Sequence, residues 1–269
     1  MSNLRPMPSD FDAGSRMHVL DWLESREFIP QLLAMVAPIG FTVSEHPARQ
    51  PKGRRDPRET ELVGRNEPFL SPEQQAELKD WWLKHKVGAK LPTWDLAVSA
   101  LDAQKCTSLV LIEAKAHATE LSAAGKSSPK REQLDEQQRS DENHERIVRA
   151  IAAANASLQI NAPGIHLSCN NNYQLSNRIA YAWKLASMGI PIALIYLGFI
   201  GDENIAVDPH RLLVQSSWQS SFDLHSAKVF PSALQSQPID CGAASFWLLV
   251  RDLPVLNQSP KLEARRKLR

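Results

Sequence analysis

Two short segments decide the fold of this chain: residues 92–98 read PTWDLAV, and residues 109–115 read LVLIEAK. Both contain β-branched residues, and the first also contains Trp94; such residues are enriched in β-strands. The residues between them, 102–105, are mostly polar and can form a turn. We therefore expect a hairpin with strands over residues 93–101 and 107–117.

The hairpin carries charged residues that a buried strand does not normally contain. Side chains alternate between the two faces of a strand, so Glu113 and Lys115 point the same way, and His117 shares their face if the strand continues. The hairpin can bring Asp95 opposite them. An Asp and an acid-x-Lys triplet at the end of an apolar run are suited to holding a divalent metal beside a phosphate. The simpler alternative is a same-face ion pair between Glu113 and Lys115.

The composition is that of a globular protein, with 269 residues, 43% hydrophobic and 23% charged. The chain has no apolar run of about 18 residues and begins without an apolar signal core, so we expect neither a membrane span nor a secretory signal. Three widely spaced cysteines form no zinc pattern and suit a reducing compartment. Together these features predict a cytoplasmic protein.

Positive charge is clustered although the net charge is only +1. Residues 49–58 contain five basic side chains against one acidic one, and the tail 261–269 has the same ratio. Such clusters can neutralise phosphates. The alternative, given equal weight, is a pair of solvated segments without a partner.

Periodicity and capping signals predict the remaining elements. The clearest helix start is Ser71, because Pro72 fits the first helical position and Gln74 completes a capping box. The predicted helices cover residues 16–37 with a break near Pro30, 71–85, 140–158, 170–189 and 215–225, and buried strands cover 190–197 and 244–250.

This order of elements, with Asp95 followed 18 positions later by Glu113-Ala114-Lys115, resembles the PD-(D/E)XK nuclease superfamily. The resemblance covers residues 71–117 and 170–198, and Pro92 stands three residues before the Asp instead of beside it. It implies an α/β fold with a restriction-endonuclease-like αβββαβ core, in which helices flank a central mixed sheet. We expect this core over residues 66–200, after an N-terminal helical and linker extension (1–65) and before a C-terminal addition with a basic tail (201–269).

The resemblance also implies roles for individual residues. Asp95 and Glu113 bind Mg²⁺ or Mn²⁺, with the Ala114 backbone carbonyl as a third ligand. Lys115 holds the attacking water or stabilises the transition state. Gln174 orients the water or a phosphate oxygen. The candidate substrate-binding residues are His117, Arg178 and Tyr181, of which Tyr181 follows Gln174 by the seven positions seen in several branches of the superfamily.

Some of these residues have simpler interpretations. His117 can merely finish a strand, and Arg178 can form a salt bridge on the flank of its helix. A second acid-x-Lys triplet, Glu77-Leu78-Lys79, falls in a predicted helix, and we assign it no catalytic role.

Three functions agree with these residues. The first is a metal-dependent nuclease that hydrolyses phosphodiester bonds of DNA, with nucleic acid as its partner, no membrane association, and the homodimer common among nucleases of this type. The second is a nuclease-fold module that binds nucleic acid or protein without catalysis. The third is a metal-dependent hydrolase of a different phosphate ester. We find no Ser-His-Asp spacing, Gly-rich phosphate loop or zinc motif.

Overall fold

The computed structural model describes residues 13–64, 67–86, 89–127, 130–204 and 213–259. Within these ranges the chain forms six α-helices and a six-stranded mixed sheet. The helices are α1 Gly14–Glu24, α2 Phe28–Val36, α3 Pro72–Trp82, α4 Leu134–Asn161, α5 Tyr173–Ser187 and α6 Gln215–Ser226. The strands are β1 Arg49–Gln50, β2 Leu96–Leu101, β3 Thr107–Lys115, β4 Ile192–Ile200, β5 Ile239–Asp240 and β6 Ser245–Pro254.

The strands lie in the order β1-β2-β3-β4-β6-β5. Strands β2 and β3 form the predicted antiparallel hairpin, in which Leu96 pairs with Ile112. Strand β4 runs parallel to β3, with Glu113 opposite Tyr196, and the helices α4 and α5 make the connection between them. The prediction of an α/β fold with a mixed sheet and flanking helices is confirmed at this level.

The alternation of side chains along β3 divides the protein into two cores. Leu109 and Leu111 face one core, which α3, α4, α5 and α6 cover. Val110 and Ile112 face the other, which α1 and α2 cover. Glu113 follows Leu109 and Leu111 at the same two-residue spacing, so its side chain points towards the α4–α5 layer.

Local signals place the helix ends. Ser71 caps α3 by accepting a hydrogen bond from the Gln74 backbone N–H, and the Gln74 side chain completes the predicted capping box. The break in the first helical segment differs from the prediction, because it falls at residues 25–27. Pro30 instead sits in the first turn of α2, where a missing N–H costs no intrahelical hydrogen bond.

The segments expected to be additions belong to the same sheet. Strand β1, from the N-terminal segment, pairs with β2, and Thr42 bridges Leu101. Strand β6, from the C-terminal segment, lies between β4 and β5. The boundaries expected at residues 65 and 200 therefore do not divide the sheet. The first boundary rested on the prolines, glycines and charges before it and the second on the extent of the resemblance, and neither carries information about pairing between distant segments. The basic tail 261–269 lies outside the described residues.

Cys106, Cys169 and Cys241 are all free thiols. Across the described ranges, none of the helices combines the length and the apolar composition needed to cross a membrane.

Candidate active site

The hairpin brings Asp95 beside the end of β3. Asp95 immediately precedes β2, and the antiparallel register places the start of β2 next to the end of β3. Oδ2 of Asp95 accepts a hydrogen bond from the Ala114 backbone N–H at 2.8 Å. Ala114 stands between Glu113 and Lys115 in the sequence, so this contact holds the Asp95 carboxyl close to the triplet. The hairpin therefore brings the Asp and the acid-x-Lys triplet together, as predicted.

Glu113 lies at the centre of a buried hydrogen-bond network. Its side chain forms an ion pair with Lys115 through Oε1. Gln174 Nε2 donates to the same oxygen at 2.8 Å, and Arg178 Nε donates to Oε2 at 2.7 Å. Gln174 and Arg178 are four residues apart, about one turn of α5, so one face of this helix supplies both donors. The same-face ion pair considered as the simpler alternative is therefore present, but as part of a larger network.

Arg178 is held by more than its ion pair. Its Nη2 donates to the Thr93 carbonyl at 2.7 Å, and its guanidinium carbon lies 4.7 Å from the centre of the Trp94 ring. Both residues directly precede Asp95. Arg178 thus ties the segment leading into β2 to Glu113 on β3, and the salt bridge considered as its simpler interpretation is present.

The surroundings set the protonation of the two carboxylates in opposite directions. Burial, followed by the charge of Glu113, raises the pKa of Asp95 to about 7. Burial also acts against ionisation of Glu113, but Arg178 and Lys115 hold the pKa of this carboxyl below its ordinary value. Burial opposes the charge of Lys115, yet Glu113 and Asp95 raise its pKa. Glu113 is thus ionised, and Asp95 is the carboxylate that takes up a proton near neutral pH.

The network opens on two adjoining cavities. The first, called here the carboxylate cavity, measures about 420 Å³ and is lined by Asp95, Glu113, Lys115 and Gln174 among others. The second, the central cavity, measures about 890 Å³. Lys115 and Gln174 line both cavities, which places the charged network at their junction.

Two of the predicted substrate-binding residues lie elsewhere. Strand β3 ends at Lys115, so His117 does not continue its face. Nδ1 of His117 instead accepts a hydrogen bond from the Thr119 N–H at 3.2 Å. Tyr181 is fully buried and packs edge-on against Trp82 at 4.8 Å between ring centres. Neither residue lines the carboxylate or the central cavity.

The structure adds two acidic residues that the sequence analysis did not identify. Glu120 lines both cavities, and burial raises its pKa. Glu59 also lines both and forms an ion pair with Arg16. Neither stands in a recognisable motif. Glu120 reaches the site through the short turn after β3, and Glu59 through the loop after β1.

The donor atoms fit a hydrated Mg²⁺. This ion prefers oxygen ligands and keeps several waters, so two carboxylates can hold it. A carboxylate has about four lone-pair sites, of which Glu113 uses three in hydrogen bonds. Asp95 Oδ1 accepts no hydrogen bond from the described residues. No group of three or more His, Cys, Asp or Glu side chains suited to a metal occurs in that same part of the chain, so the fit is to a site with few protein ligands.

Comparisons with protein-family models, curated proteins and solved structures found no match to this chain. The functional assignment therefore depends on the geometry and chemistry of the site.

Proposed function

We propose that the protein is a metal-dependent nuclease with a restriction-endonuclease-like core, which hydrolyses phosphodiester bonds of DNA. One observation carries the proposal. Asp95 lies 18 positions before Glu113 and Lys115 lies two positions after it, yet all three side chains line a single cavity at the ends of two paired strands. The raised pKa of Asp95 adds support, because burial and the charge of Glu113 outweigh the nearby Lys115, and a bound cation would relieve this cost of ionisation.

The order of the sheet supports the fold assignment. Strands β1, β2 and β3 are successive antiparallel neighbours, and β4 follows α5 to lie parallel to β3. A helix, three antiparallel strands, a helix and a parallel strand make up the αβββαβ order of the superfamily. In this chain α3 falls between β1 and β2, and three more helices and the strands β5 and β6 are further elements.

Asp95 and Glu113 would hold Mg²⁺ or Mn²⁺, with the Ala114 carbonyl as the further ligand proposed from the superfamily resemblance. When bound, the ion supplies Lewis-acid activation of water and neutralises charge on the phosphate. A protonated Asp95 must lose its proton to act as a ligand.

The remaining side chains of the network act on the phosphate, on the attacking water or on the metal ligand Glu113. Lys115 is a compact cation at the junction of the two cavities, where its ammonium can donate to a phosphate oxygen or to the attacking water. Gln174 can orient either group through its amide. Arg178 is a positioning residue, because its guanidinium contacts Glu113 and the Thr93 carbonyl and fixes the carboxylate.

One observation favours the alternative, a nuclease-fold module that binds nucleic acid or protein without catalysis. Glu113 is already neutralised by Lys115 and Arg178, so its network is satisfied without a metal. In that case the network serves to connect β3 with α5.

A cleavage assay separates the two functions. Supercoiled plasmid and labelled single strands are incubated with Mg²⁺, Mn²⁺ or EDTA. We expect metal-dependent cutting that falls by about 100-fold or more in Asp95→Asn and in Lys115→Met, because each loses a group in contact with the reacting phosphate or its ligands. The matched control is Lys79→Met, which removes the lysine of the second acid-x-Lys triplet on α3 and should cut at the rate of the parent protein.

Calorimetric titration with Mg²⁺ completes the test. The parent protein should bind the ion, and Asp95→Asn should not. Intact substrate in every reaction, together with no heat of metal binding, would exclude the nuclease and leave the non-catalytic module.

A further inference from the structure

A third cavity, of about 680 Å³, extends the central cavity between the end of α3 and the first half of α4. Lys90, Lys126 and Ile147 line both cavities, so the two adjoin at these residues. Arg131 lies on the wall of the third cavity alone. We call this third space the basic cavity, because its charged walls are mostly cationic.

Three of these cations have no carboxylate partner within the described part of the chain. Lys90, Lys126 and Arg131 form no ion pair with any residue that the structure describes. In contrast, Arg139 on the same wall is paired with Asp135. Glu136 contributes the opposing charge of the basic cavity. The walls therefore keep an excess of unneutralised positive charge beside the proposed reaction site.

Lys126 is held in place rather than left on a free loop. Its backbone N–H donates to the Cys169 carbonyl at 2.7 Å, and its ammonium lies 5.3 Å from the centre of the Tyr173 ring. Gly125 makes this approach possible, because a Cβ there would overlap the Asn170 carbonyl. Burial lowers the pKa of Lys126, and the neighbouring Cys169 thiol offsets this effect only in part.

Tyr173 connects this lysine with the reaction site. It is the first residue of α5 and directly precedes Gln174, which donates to Glu113. Lys126 and Lys115 consequently lie on the walls of one central cavity, on either side of the start of α5.

We infer that Lys126, Lys90 and Arg131 bind successive phosphates of the nucleic-acid strand whose bond is cut at Asp95 and Lys115. The inference rests on the proposed function and adds the path of the substrate to it. Phosphates along one nucleic-acid strand are regularly spaced anions, and grooves that follow such a backbone are lined with unpaired basic residues. A cavity of this size admits a single strand more readily than a duplex.

The test is fluorescence anisotropy with a labelled single-stranded DNA oligonucleotide in EDTA, which prevents metal-dependent cleavage. Lys126→Gln, Arg131→Gln and the combined change of Lys90, Lys126 and Arg131 to Gln are titrated over a range of salt concentrations. Each single change should weaken binding by about fivefold. Each should also reduce the slope of log affinity against log salt by about 0.7, the value for one contact with a single strand. The matched control is Lys228→Gln, an exposed lysine that lines none of the three cavities.

Cleavage kinetics separate this inference from the proposed function. In Mg²⁺ the triple variant should show a raised KM with a nearly unchanged kcat, because these side chains lie away from the reacting phosphate. If the parent protein binds the oligonucleotide but never cuts it, loss of binding in the triple variant would support the path and exclude the nuclease. Cleavage and affinity that both match the Lys228→Gln control would overturn the path and leave the nuclease standing.

Discussion

Glu113 and Asp202 are both buried carboxylates with basic partners, yet their surroundings differ. Asp202 follows β4 and accepts hydrogen bonds from His18 Nε2 at 2.8 Å and from the Ser259 backbone N–H at 3.1 Å. It lines none of the three cavities. Glu113 also has basic partners, but it opens on a cavity and lies next to a second carboxylate, Asp95, that carries a proton near neutral pH.

Access from a cavity and an unbalanced charge, rather than burial alone, indicate that a charged cluster has a function. The Asp202 network joins α1 to the segment after β6, and both oxygens of its carboxylate are hydrogen-bonded within it. The Glu113 network includes a second carboxyl, Asp95, whose raised pKa leaves two cations against one ionised carboxylate near neutral pH, and it is accessible from outside. Both networks are buried and contain ion pairs. The Glu113 network differs from the Asp202 network because it opens on a cavity and because its charges do not balance.

The largest expected effect that tests this comparison is on stability. Glu113→Gln removes the carboxylate that is paired with both buried cations, Lys115 and Arg178, and leaves only the neighbouring Asp95 carboxyl to balance them, which should lower the free energy of unfolding by about 3 to 5 kcal/mol. Asp202→Asn should lower it by about 1 to 3 kcal/mol, because the amide keeps the shape of the carboxyl and weakens the hydrogen bonds with His18 and Ser259. Urea denaturation of both variants measures the difference. Equal losses would mean that the two networks do not differ in charge balance.

The second prediction concerns pH. Burial opposes ionisation of Asp202, but hydrogen bonds from His18 and Ser259 hold its pKa below the ordinary value. Its contribution to stability is therefore present above the unfolded pKa of about 3.9 and is lost as the pH falls through the lower folded value. Asp95 has the opposite sign. Since its folded pKa is raised to about 7, the unfolded chain loses its proton first, and stability falls as the pH rises from about 4 to about 7.

Urea midpoints measured in EDTA at a series of pH values separate these two contributions. Asp95→Asn should flatten the decline between pH 4 and 7, which can reach about 1.4 kcal/mol per pH unit for a single group. Asp202→Asn should leave that decline in place and reduce the loss at lower pH. A decline that persists in Asp95→Asn would show that the raised pKa does not belong to Asp95.

The smallest effect is expected for Tyr181→Phe. The Tyr181 hydroxyl is buried and has no hydrogen-bond partner among the described residues. Its removal should change the free energy of unfolding by about 1 kcal/mol or less, towards greater stability, and should leave KM for DNA unchanged. Tyr173→Phe is the matched change on the wall of the central cavity. A raised KM in Tyr181→Phe would restore the predicted role in substrate binding.

Much of the fold could be predicted because it depends on local signals. The capping box at Ser71 and the uninterrupted apolar run before Glu113 identify their elements without knowledge of distant contacts. Strand β1 could not be predicted, because it is two residues long and lies within a segment dominated by charge and proline. Its pairing with β2 becomes apparent only when residues about fifty positions apart are brought together.

The candidate site shows the same division. Spacing along β3 predicts that Glu113 and Lys115 share a face, and a hairpin predicts that Asp95 joins them. The seven-residue spacing of Gln174 and Tyr181 matched the resemblance, but the two side chains face different surroundings, one at the cavity and the other in the core. Lys126 gave no motif, since its position depends on the contact of Gly125 with a distant backbone.

The two edges of the sheet are formed by β1 and β5, each only two residues long. An exposed edge strand offers unpaired backbone groups to a second molecule, and the risk of aggregation grows with the length and the apolar content of that strand. The long apolar strands β3 and β4 are both enclosed by neighbours. The edge strands themselves thus offer only short runs of backbone to another copy of the chain, whereas β5 pairs with Ser245 and Phe246 alone and leaves the rest of β6 as the longer strand to which a copy could add.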